Sequence, residues 1–367
     1  MIFLRILIFL AGAWLVIVTL ASAVRTFVLP RSAPDRITQS IFLAVRFFFG
    51  FPLKKATSYL VRDRILAWYA PIGLLMLVPG WNLLILLGYA GMYYGASDLD
   101  AYSAFHKSGS ALFTLGFDAV SGWGLSLLSF SEAMLGLVLI ALLIAYLPTI
   151  YSAFSRREAA VTLLEVRAGN PPSAEQMLLR YHRIHGLERL TDEWVRWETW
   201  FADIQESHTS LAALVFFRSP QPEHSWVTAA GAVLDAASIS LAALDKPNDP
   251  QAALCIRGGY LALRAIADYF NIAYDPAPKP GDPISVRREE FDALLDNLAS
   301  ENVALKPDRD QAWIDFTGWR VNYDAVLIGL AGLTSAPKAP WSSDRARSWL
   351  VPPIYAARLD AESRKTR

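Results

Sequence analysis

A short run between apolar stretches carries the residue types that bind a cation. Thr114 offers a hydroxyl oxygen, Asp118 offers a carboxylate, and the intervening Leu115, Gly116 and Phe117 bring backbone carbonyls. A cation gives up its water only where other oxygens replace it, and carbonyl rings formed by several subunits around one axis do so. Glycine permits the backbone angles that turn such carbonyls in one direction. The run therefore has the oxygen chemistry of a cation path.

Three stretches without a charged residue surround this run, and each is long enough to cross a membrane. They are residues 6–24, 65–97 and 133–155. A crossing helix needs about 20 apolar residues for a hydrocarbon core of roughly 30 Å. The middle stretch contains Pro71 and Pro79, but halves separated at Pro79 would hold only about 15 residues each, too few to span. We expect one span there, over residues 71–94, entered through an interfacial segment.

The composition agrees with a membrane protein. Hydrophobic residues make up 54% of the 367 residues and charged residues only 19%, which argues against a disordered chain and against an ordinary soluble enzyme. The single cysteine, Cys255, excludes an intrachain disulfide framework, a cysteine zinc site and an iron–sulfur cluster. We expect no cofactor and no nucleic acid partner.

Basic residues predict the orientation of the spans. The connector between the first two stretches holds eight basic residues and only two acids, Asp35 and Asp63. The connector between the second and third stretches holds four acids and only Lys107, and Arg156-Arg157 follows the third stretch. We therefore expect the first connector and the C-terminal region in the cytosol, on the inner side of the cell membrane.

Two alternatives remain within the N-terminal part. Residues 21–23, Ala-Ser-Ala, resemble a signal-peptidase site, but export of the basic connector would violate the positive-inside rule, so we favour an uncleaved span. Residues 40–53 are apolar but short, and Arg46 and Pro52 interrupt them. We expect this segment to lie on the inner membrane surface.

The outside connector is too apolar for a solvated loop. Ser97, Asp98 and Asp100 supply capping and first-turn acids for a short helix over residues 99–113. A turn with Gly116 follows, and residues 119–129 are expected to return in extended form. Span, short helix, turn, return and span is the layout of a re-entrant pore loop, which is tolerated at membrane depth only inside protein or beside water.

A known family shares these residues. Thr114, Gly116, Phe117 and Asp118 match the pattern T-x-G-Y/F-G-D of the potassium-channel superfamily, with Leu115 at the variable place and the second glycine missing. The run SGSALFTLGF at residues 108–117 resembles the pore segment of bacterial potassium-channel-like membrane proteins with a helical cytosolic tail. Residues 145–158, 217–220 and 225–227 are also similar to that group. The pore resemblance covers residues 64–157, about a quarter of the chain.

The resemblance implies roles for these residues. Residues Thr114 to Phe117 would line a selectivity filter, with Asp118 at its outer mouth and a homotetramer around the axis. The permeant ion would be a monovalent cation, potassium by resemblance. The missing glycine would alter or remove one filter layer.

The same resemblance suggests a gate in the third span. Gly136 lies twenty residues after Gly116, near the place of a hinge in such channels, although glycine also serves helix packing in membranes. Pro148 would kink the cytosolic end of the helix. The implied gate residues are Tyr146, Leu147 and Tyr151.

The C-terminal half predicts an all-α domain. Helical periodicity is expected over residues 173–185, 191–217, 223–244, 250–270, 286–298 and 308–333, with a loose tail after Ala336. Trp194, Trp197 and Phe201 form an aromatic stripe that we assign to core or subunit packing rather than to a ligand site. His182, His185 and Glu188 recur every three residues and could hold a metal, but this spacing is common by chance. No dinucleotide or phosphate-loop motif is present.

Together these patterns predict an all-α membrane protein with three transmembrane helices and a helical cytosolic domain. The expected segments are residues 1–25, 26–64, 65–157, 158–335 and 336–367: a first span, a basic connector, a pore domain, the helical domain and a tail. The preferred function is a tetrameric cation channel in the lipid bilayer, gated through the cytosolic domain by an unidentified ligand or protein.

Two other functions were weighed. A non-conducting anchor would keep a degenerate pore domain and bind another protein through its helical domain. A membrane-embedded enzyme predicts clustered acids or histidines inside the spans, and the three uncharged stretches hold none. We therefore expect no enzyme.

Overall fold

The computed structural model describes residues 2–28, 35–118 and 121–353. Within them the chain forms α-helices and two short 3-10 helices. The α-helices are α1 Ile2–Phe27, α2 Arg36–Lys54, α3 Tyr59–Ala96, α4 Ala101–Leu112, α5 Trp123–Ala168, α6 Ala174–Arg183, α7 Leu190–Ser210, α8 Trp226–Ala242, α9 Pro250–Tyr269, α10 Arg288–Ser300, α11 Arg309–Arg320 and α12 Asp324–Thr334. In the described ranges the only β-type pairing is an isolated bridge between Leu244 and Leu305. The expectation of an all-α chain is confirmed.

The chain divides into two compact units. The span unit holds residues 1–47 and 69–152, and the tail unit holds residues 48–68 and 153–367. These boundaries differ from the expected ones, because the first turns of α3 and the last turns of α5 belong to the tail unit. Helices α2, α3 and α5 each continue from one unit into the other.

Three helices, α1, α3 and α5, are long and apolar enough to cross a membrane. Helix α3 is one continuous helix of 38 residues that contains Pro71 and Pro79, so the middle stretch is not divided into two short halves. Its length is about 57 Å at 1.5 Å per residue, which exceeds a hydrocarbon core of roughly 30 Å.

Helices α1 and α3 run antiparallel and touch through their backbones. A Cβ atom placed on Gly12 would lie 2.3 Å from the Gly88 carbonyl oxygen, and one on Gly95 would lie 2.6 Å from the Arg5 carbonyl oxygen. At the same end, Arg5 forms an ion pair with Asp98. Small residues allow such close approach between apolar helices, where van der Waals packing is a main source of attraction.

Helix α5 corrects the expectation of an extended return. It begins at Trp123 and runs for 46 residues, so the extended return expected over residues 119–129 is helical from Trp123 onward. Leu125, Leu127 and Leu128 are good helix formers, and a helix satisfies its own backbone hydrogen bonds in an apolar environment. The positive φ of Gly122, 92°, precedes the first turn.

Helix α8 lies at the centre of the tail unit, with 16 of its 17 residues buried. Helices α7 and α9 pack against each other and α9 packs on α8. The side chains of Trp194, Trp197 and Phe201 are almost completely buried, which confirms their assignment to packing and places them in the core.

A buried ion-pair cluster joins α8, α11 and α12. The Arg320 guanidinium pairs with Asp235 and donates to Asp324 at 2.7 Å, and the Tyr323 hydroxyl donates to Asp235 at 2.8 Å. The expected single helix over residues 308–333 is divided here. The Asn322 amide donates to the carbonyls of Gly318 and Trp319, which replaces helical partners and ends α11.

The expectation of a loose tail after Ala336 is wrong as far as residue 353. Ala339, Ser342 and Val351 are buried, and the Arg320 guanidinium donates to the Trp341 carbonyl at 2.5 Å. This segment therefore completes the core. The rest of the expected tail lies outside the described residues.

Candidate functional site

Helix α4 begins at a side-chain cap and has one buried face. The Asp100 carboxylate accepts from the Ser103 amide at 3.3 Å, as expected for an N-cap. Ala104, Ser108 and Leu112 are buried on the same side. The structure thus confirms the short helix, shifted by two residues from the expected start.

The chain reverses direction where α4 ends. The amides of Leu115 and Gly116 both donate to the Ser110 carbonyl, at 2.9 and 3.5 Å. Thr114 has φ 54° and Gly116 has φ 72°. The left-handed region is easy for glycine but uncommon for a β-branched residue, and costs roughly 1–3 kcal/mol there. The turn is therefore strained at Thr114 and natural at Gly116.

The segment after the turn runs back beside α4, and we call residues 113–118 the return loop. The Asp118 amide donates to the Ser110 hydroxyl at 3.2 Å, and the Asp118 carboxylate accepts from the Lys107 ammonium at 2.5 Å. The His106 imidazole lies 3.4 Å from the same carboxylate. Side chains one turn apart on α4 thus hold the far end of the return loop.

Lys107 lowers the pKa of Asp118, chiefly through its hydrogen bond, and His106 adds to this effect. The Asp118 carboxylate is consequently charged at neutral pH and held within its own chain. Sequence reasoning considered neither His106 nor Lys107 as a partner of Asp118. Their pairing with Asp118 was missed, although Lys107 is the single basic residue of that connector and could have signalled it.

The backbone carbonyls of the return loop differ from those of a helix in their partners. No backbone amide in the described ranges donates to the carbonyls of residues 114–117. The Thr114 hydroxyl donates to the Phe113 carbonyl at 2.8 Å. Leu115 and Phe117 are exposed in the single chain. The described residues therefore hold the loop at its ends, and none of their backbone amides occupies its middle carbonyls.

A buried acid lies behind α4 and was missed by sequence reasoning. Glu132 belongs to α5 and is 0% exposed, so this helix buries an acid directly before the uncharged stretch over residues 133–155. The Ser108 hydroxyl lies 2.5 Å from the Glu132 carboxylate and 2.9 Å from the Leu86 carbonyl, and the Tyr93 side chain lies beside Glu132. Glu132, Ser108 and Tyr93 form the Glu132 cluster, which joins α3, α4 and α5.

The predicted hinge residue lies at a close helix contact. A Cβ atom on Gly136 would lie 2.5 Å from the Leu112 carbonyl oxygen at the end of α4. The contact supports the packing alternative for this glycine, because any side chain would push α5 away from α4.

The predicted gate residues do not share one face. Tyr146 is buried, with its ring 4.5 Å from that of Phe27 on α1. Leu147 and Tyr151 are exposed and lie one turn apart, and Pro148 lies within the continuous α5. The structure therefore groups Leu147 with Tyr151 and separates both from Tyr146.

An ion pair within the tail unit holds the beginning of α3. The Arg218 guanidinium donates to the Asp63 carboxylate at 2.6 Å and to the carbonyls of Thr334 and Ser335 at 2.9 and 3.1 Å. The Tyr59 hydroxyl donates to the Pro222 carbonyl at 3.1 Å. We call these contacts the α3 junction, and its partners lie too far apart in sequence to predict.

The end of α5 is held in a similar way. Arg157 is completely buried and donates to the carbonyls of Leu214 and Phe217 at 2.9 and 2.7 Å. It also pairs with Glu158 at 2.7 Å and lies 3.2 Å from His208. Burial, reinforced by Arg157, places the pKa of His208 well below its ordinary value, so this histidine is neutral at pH 7 and serves packing.

The described residues contain no cluster of three metal-ligating side chains, and His182, His185 and Glu188 are not brought together with further ligands. A cavity of about 550 Å³ lies beside Trp313, between residues 280–289 and α11.

No protein-family model matches the chain, and neither a curated protein nor a solved structure matches it significantly. The likeness to potassium channels therefore rests on the sequence segments named above alone.

Proposed function

We propose that the chain is one subunit of a tetrameric cation channel of the cell membrane, with potassium as the cation. The observation that carries this proposal is the return loop. Its ends are fixed to α4, and no backbone amide of the described residues donates to the carbonyls of residues 114–117. Four copies around one axis would supply the ring of oxygens that one chain lacks.

The flanking elements support this assignment. The return loop lies between α3 and α5, two helices long enough to cross a membrane. Helix α4 points its C-terminal end toward the turn, where its partial negative charge favours a cation. The basic connector and Arg156-Arg157 favour a cytosolic tail unit, which leaves the return loop at the outer side.

The tail unit is the proposed gating element. It includes the first turns of α3 and the last turns of α5, and both helices continue without a break toward the return loop. A ligand that binds two conformations of the tail unit differently would shift the population of both helices. The α3 junction and the buried Arg157 are the contacts through which such a shift would act.

One observation favours the non-conducting anchor as second candidate. Asp118 follows Phe117 directly where the superfamily pattern has a glycine, so one oxygen layer is altered. The negative charge of Asp118 is also compensated by its ion pair with Lys107 of the same chain.

Cation flux from potassium-loaded liposomes that contain the purified protein tests the proposal. The wild type should conduct, and Gly116→Val should abolish flux, because a β-branched residue at φ 72° would add about 1–3 kcal/mol of strain to a turn already strained at Thr114. Gly124→Val is the matched control. A Cβ atom meets nothing within 4 Å at either glycine, but Gly124 is helical, so this variant should keep conducting.

Light scattering on detergent-solubilised samples must show the same tetramer for all three proteins. A folded tetrameric wild type without flux, across several pH values, would reject conduction and support the anchor. Equal flux from the wild type and Gly116→Val would reject the return loop as the filter.

A further inference from the structure

Helix α2 has one face buried by protein. Phe42 is 2% exposed, and a Cβ atom on Gly73 of α3 would lie 2.3 Å from the Phe42 ring. Gly80 approaches Ile41 in the same way, at 2.6 Å. This face of α2 therefore packs along α3 within the span unit.

The opposite face of α2 presents large apolar side chains. Phe47 is 65% exposed, Phe48 is 68% exposed and Phe51 is 56% exposed. Phe47 and Phe51 lie one turn apart and Leu43 lies one turn before them, so these residues follow one side of the helix. Contiguous aromatic surface of this kind is rarely left to water and marks a contact with a membrane or a protein.

The ends of this face carry positive charge. Arg36 and Lys54 lie within about 20° of Phe47 when the helix is viewed along its axis at 100° per residue, and Lys55 follows. No acidic residue occurs from Arg36 to Arg62. A face that is apolar in the middle and basic at its ends fits the headgroup boundary of an anionic bilayer, where aromatic rings enter the acyl region and basic side chains reach phosphates.

The position of α2 in the chain agrees with this partner. It connects α1 and α3, two helices long enough to cross a membrane. Helix α2 itself, with Arg46 and Pro52, is too polar and too short in apolar length to cross. A helix between two such neighbours cannot move far from the membrane surface.

We propose that the exposed face of α2, made of Leu43, Phe47, Phe48 and Phe51 with Arg36, Lys54 and Lys55, binds the surface of an anionic lipid leaflet. The inference does not depend on cation conduction. It gives the protein a lipid-sensitive contact immediately before α3, so the composition of the leaflet can act on the helix that leads to the return loop.

The test uses the full-length protein with single cysteines in a Cys255→Ser background. The fluorophore NBD is attached at Phe47→Cys or Phe51→Cys, and at Gln205→Cys, an exposed position of α7, as the aqueous reference. The vesicles contain phosphatidylcholine, with or without phosphatidylglycerol, and either brominated acyl chains or external and internal iodide quench the label.

Labels at positions 47 and 51 should be quenched by brominated lipid at least twofold more than the label at 205, with a further increase in phosphatidylglycerol. The increase should disappear in the variant Arg36→Gln, Lys54→Gln, Lys55→Gln. Quenching by iodide equal to that at 205 would overturn the proposal. Protection from both quenchers would also overturn it, since a second protein surface would then cover α2. Equal lipid quenching with and without phosphatidylglycerol would overturn the assignment to anionic lipid.

Discussion

Buried carboxylates have different partners in the two units of the molecule. In the tail unit, Asp235 pairs with the buried Arg320, and Asp63 pairs with Arg218. In the span unit, Glu132 has a serine hydroxyl as partner, one of its carboxylate oxygens has no hydrogen-bond partner, and no basic side chain of the described residues forms an ion pair with it.

The difference indicates what each cluster does. Breaking a compensated buried ion pair is costly because it leaves an isolated charge, so the tail-unit pairs fix the conformation of that unit. An acid in an apolar helix without a charge partner is expensive and is retained for function by default. The Glu132 cluster, directly behind the helix that leads to the return loop, is in this second class.

The largest effect is expected for Arg320→Ala. This change leaves Asp235 and Asp324 buried without their cation, which should destabilise the tail unit by about 3–5 kcal/mol. Thermal unfolding followed by circular dichroism measures the loss. Arg288→Ala, which removes partly exposed pairs with Asp292 and Asp310, should cost at most about 1 kcal/mol. Equal losses for both variants would contradict the assigned role of the buried pairs.

A smaller loss is expected at the α3 junction. Arg218→Gln removes the partner of Asp63 and two donors to backbone carbonyls, at a cost of about 2–3 kcal/mol. If the tail unit sets the gate, this variant should also change open probability in single-channel recordings while its ion preference stays that of the wild type. An altered ion preference would indicate that the variant disturbs the return loop instead.

Glu132→Gln tests the buried acid of the span unit, for comparison with the ion pairs of the tail unit. The amide keeps the shape and one acceptor, and no ion pair is broken, so the loss of stability should stay within about 1 kcal/mol. Flux relative to protein amount should nevertheless change, because the variant removes the acid that lies directly behind α4. Thermal unfolding in detergent measures the loss of stability, and flux from liposomes measures the change in conduction. A loss as large as that of Arg320→Ala would mean that Glu132 is structural after all.

The smallest effect concerns pH and the Asp118–Lys107 pair. The folded-state pKa of Asp118 lies below its ordinary value of about 3.9, so the pair holds the return loop at all higher pH values. Its contribution is lost only as the pH falls through the depressed pKa. Flux should therefore be flat between pH 8 and 5 with respect to this pair, whereas Lys107→Met should lower flux throughout this range. A wild-type decline near pH 6 that is absent in Asp118→Asn would contradict this assignment.

The sequence predicts the elements of the site better than their contacts. The uncharged stretches located α1 and α3, and Asp100 located the start of α4, because membrane length and capping depend on local residues. Gly116 was singled out by type alone, and the structure gives it a positive φ.

Contacts between residues that are far apart in the sequence could not be predicted from it. Asp63 and Arg218 are separated by 155 positions, and nothing local marks them as partners. Glu132 was counted only among the acids of the outside connector, because a charge in sequence does not reveal whether Ser108 of another helix will bury it. The expected helix over residues 308–333 ends early because the Asn322 side-chain amide competes with backbone amides for the Gly318 and Trp319 carbonyls. Hydrophobic periodicity does not reveal such competition.

The glycine contact between α1 and α3 bears on how the protein is made. Their backbones meet at Gly12 and Gly95 without any residue of α4 or α5. We expect a nascent chain released after Ala96 to form this antiparallel pair already. A cysteine cross-link between positions 8 and 91 would detect it, because a Cβ atom on Gly91 lies 3.6 Å from the Ile8 side chain. Absence of the cross-link would disprove the order. Helix α4 and the return loop would then leave the translocon when the α1–α3 pair is already packed. The loop would therefore have a folded helix pair beside it before α5 is synthesised.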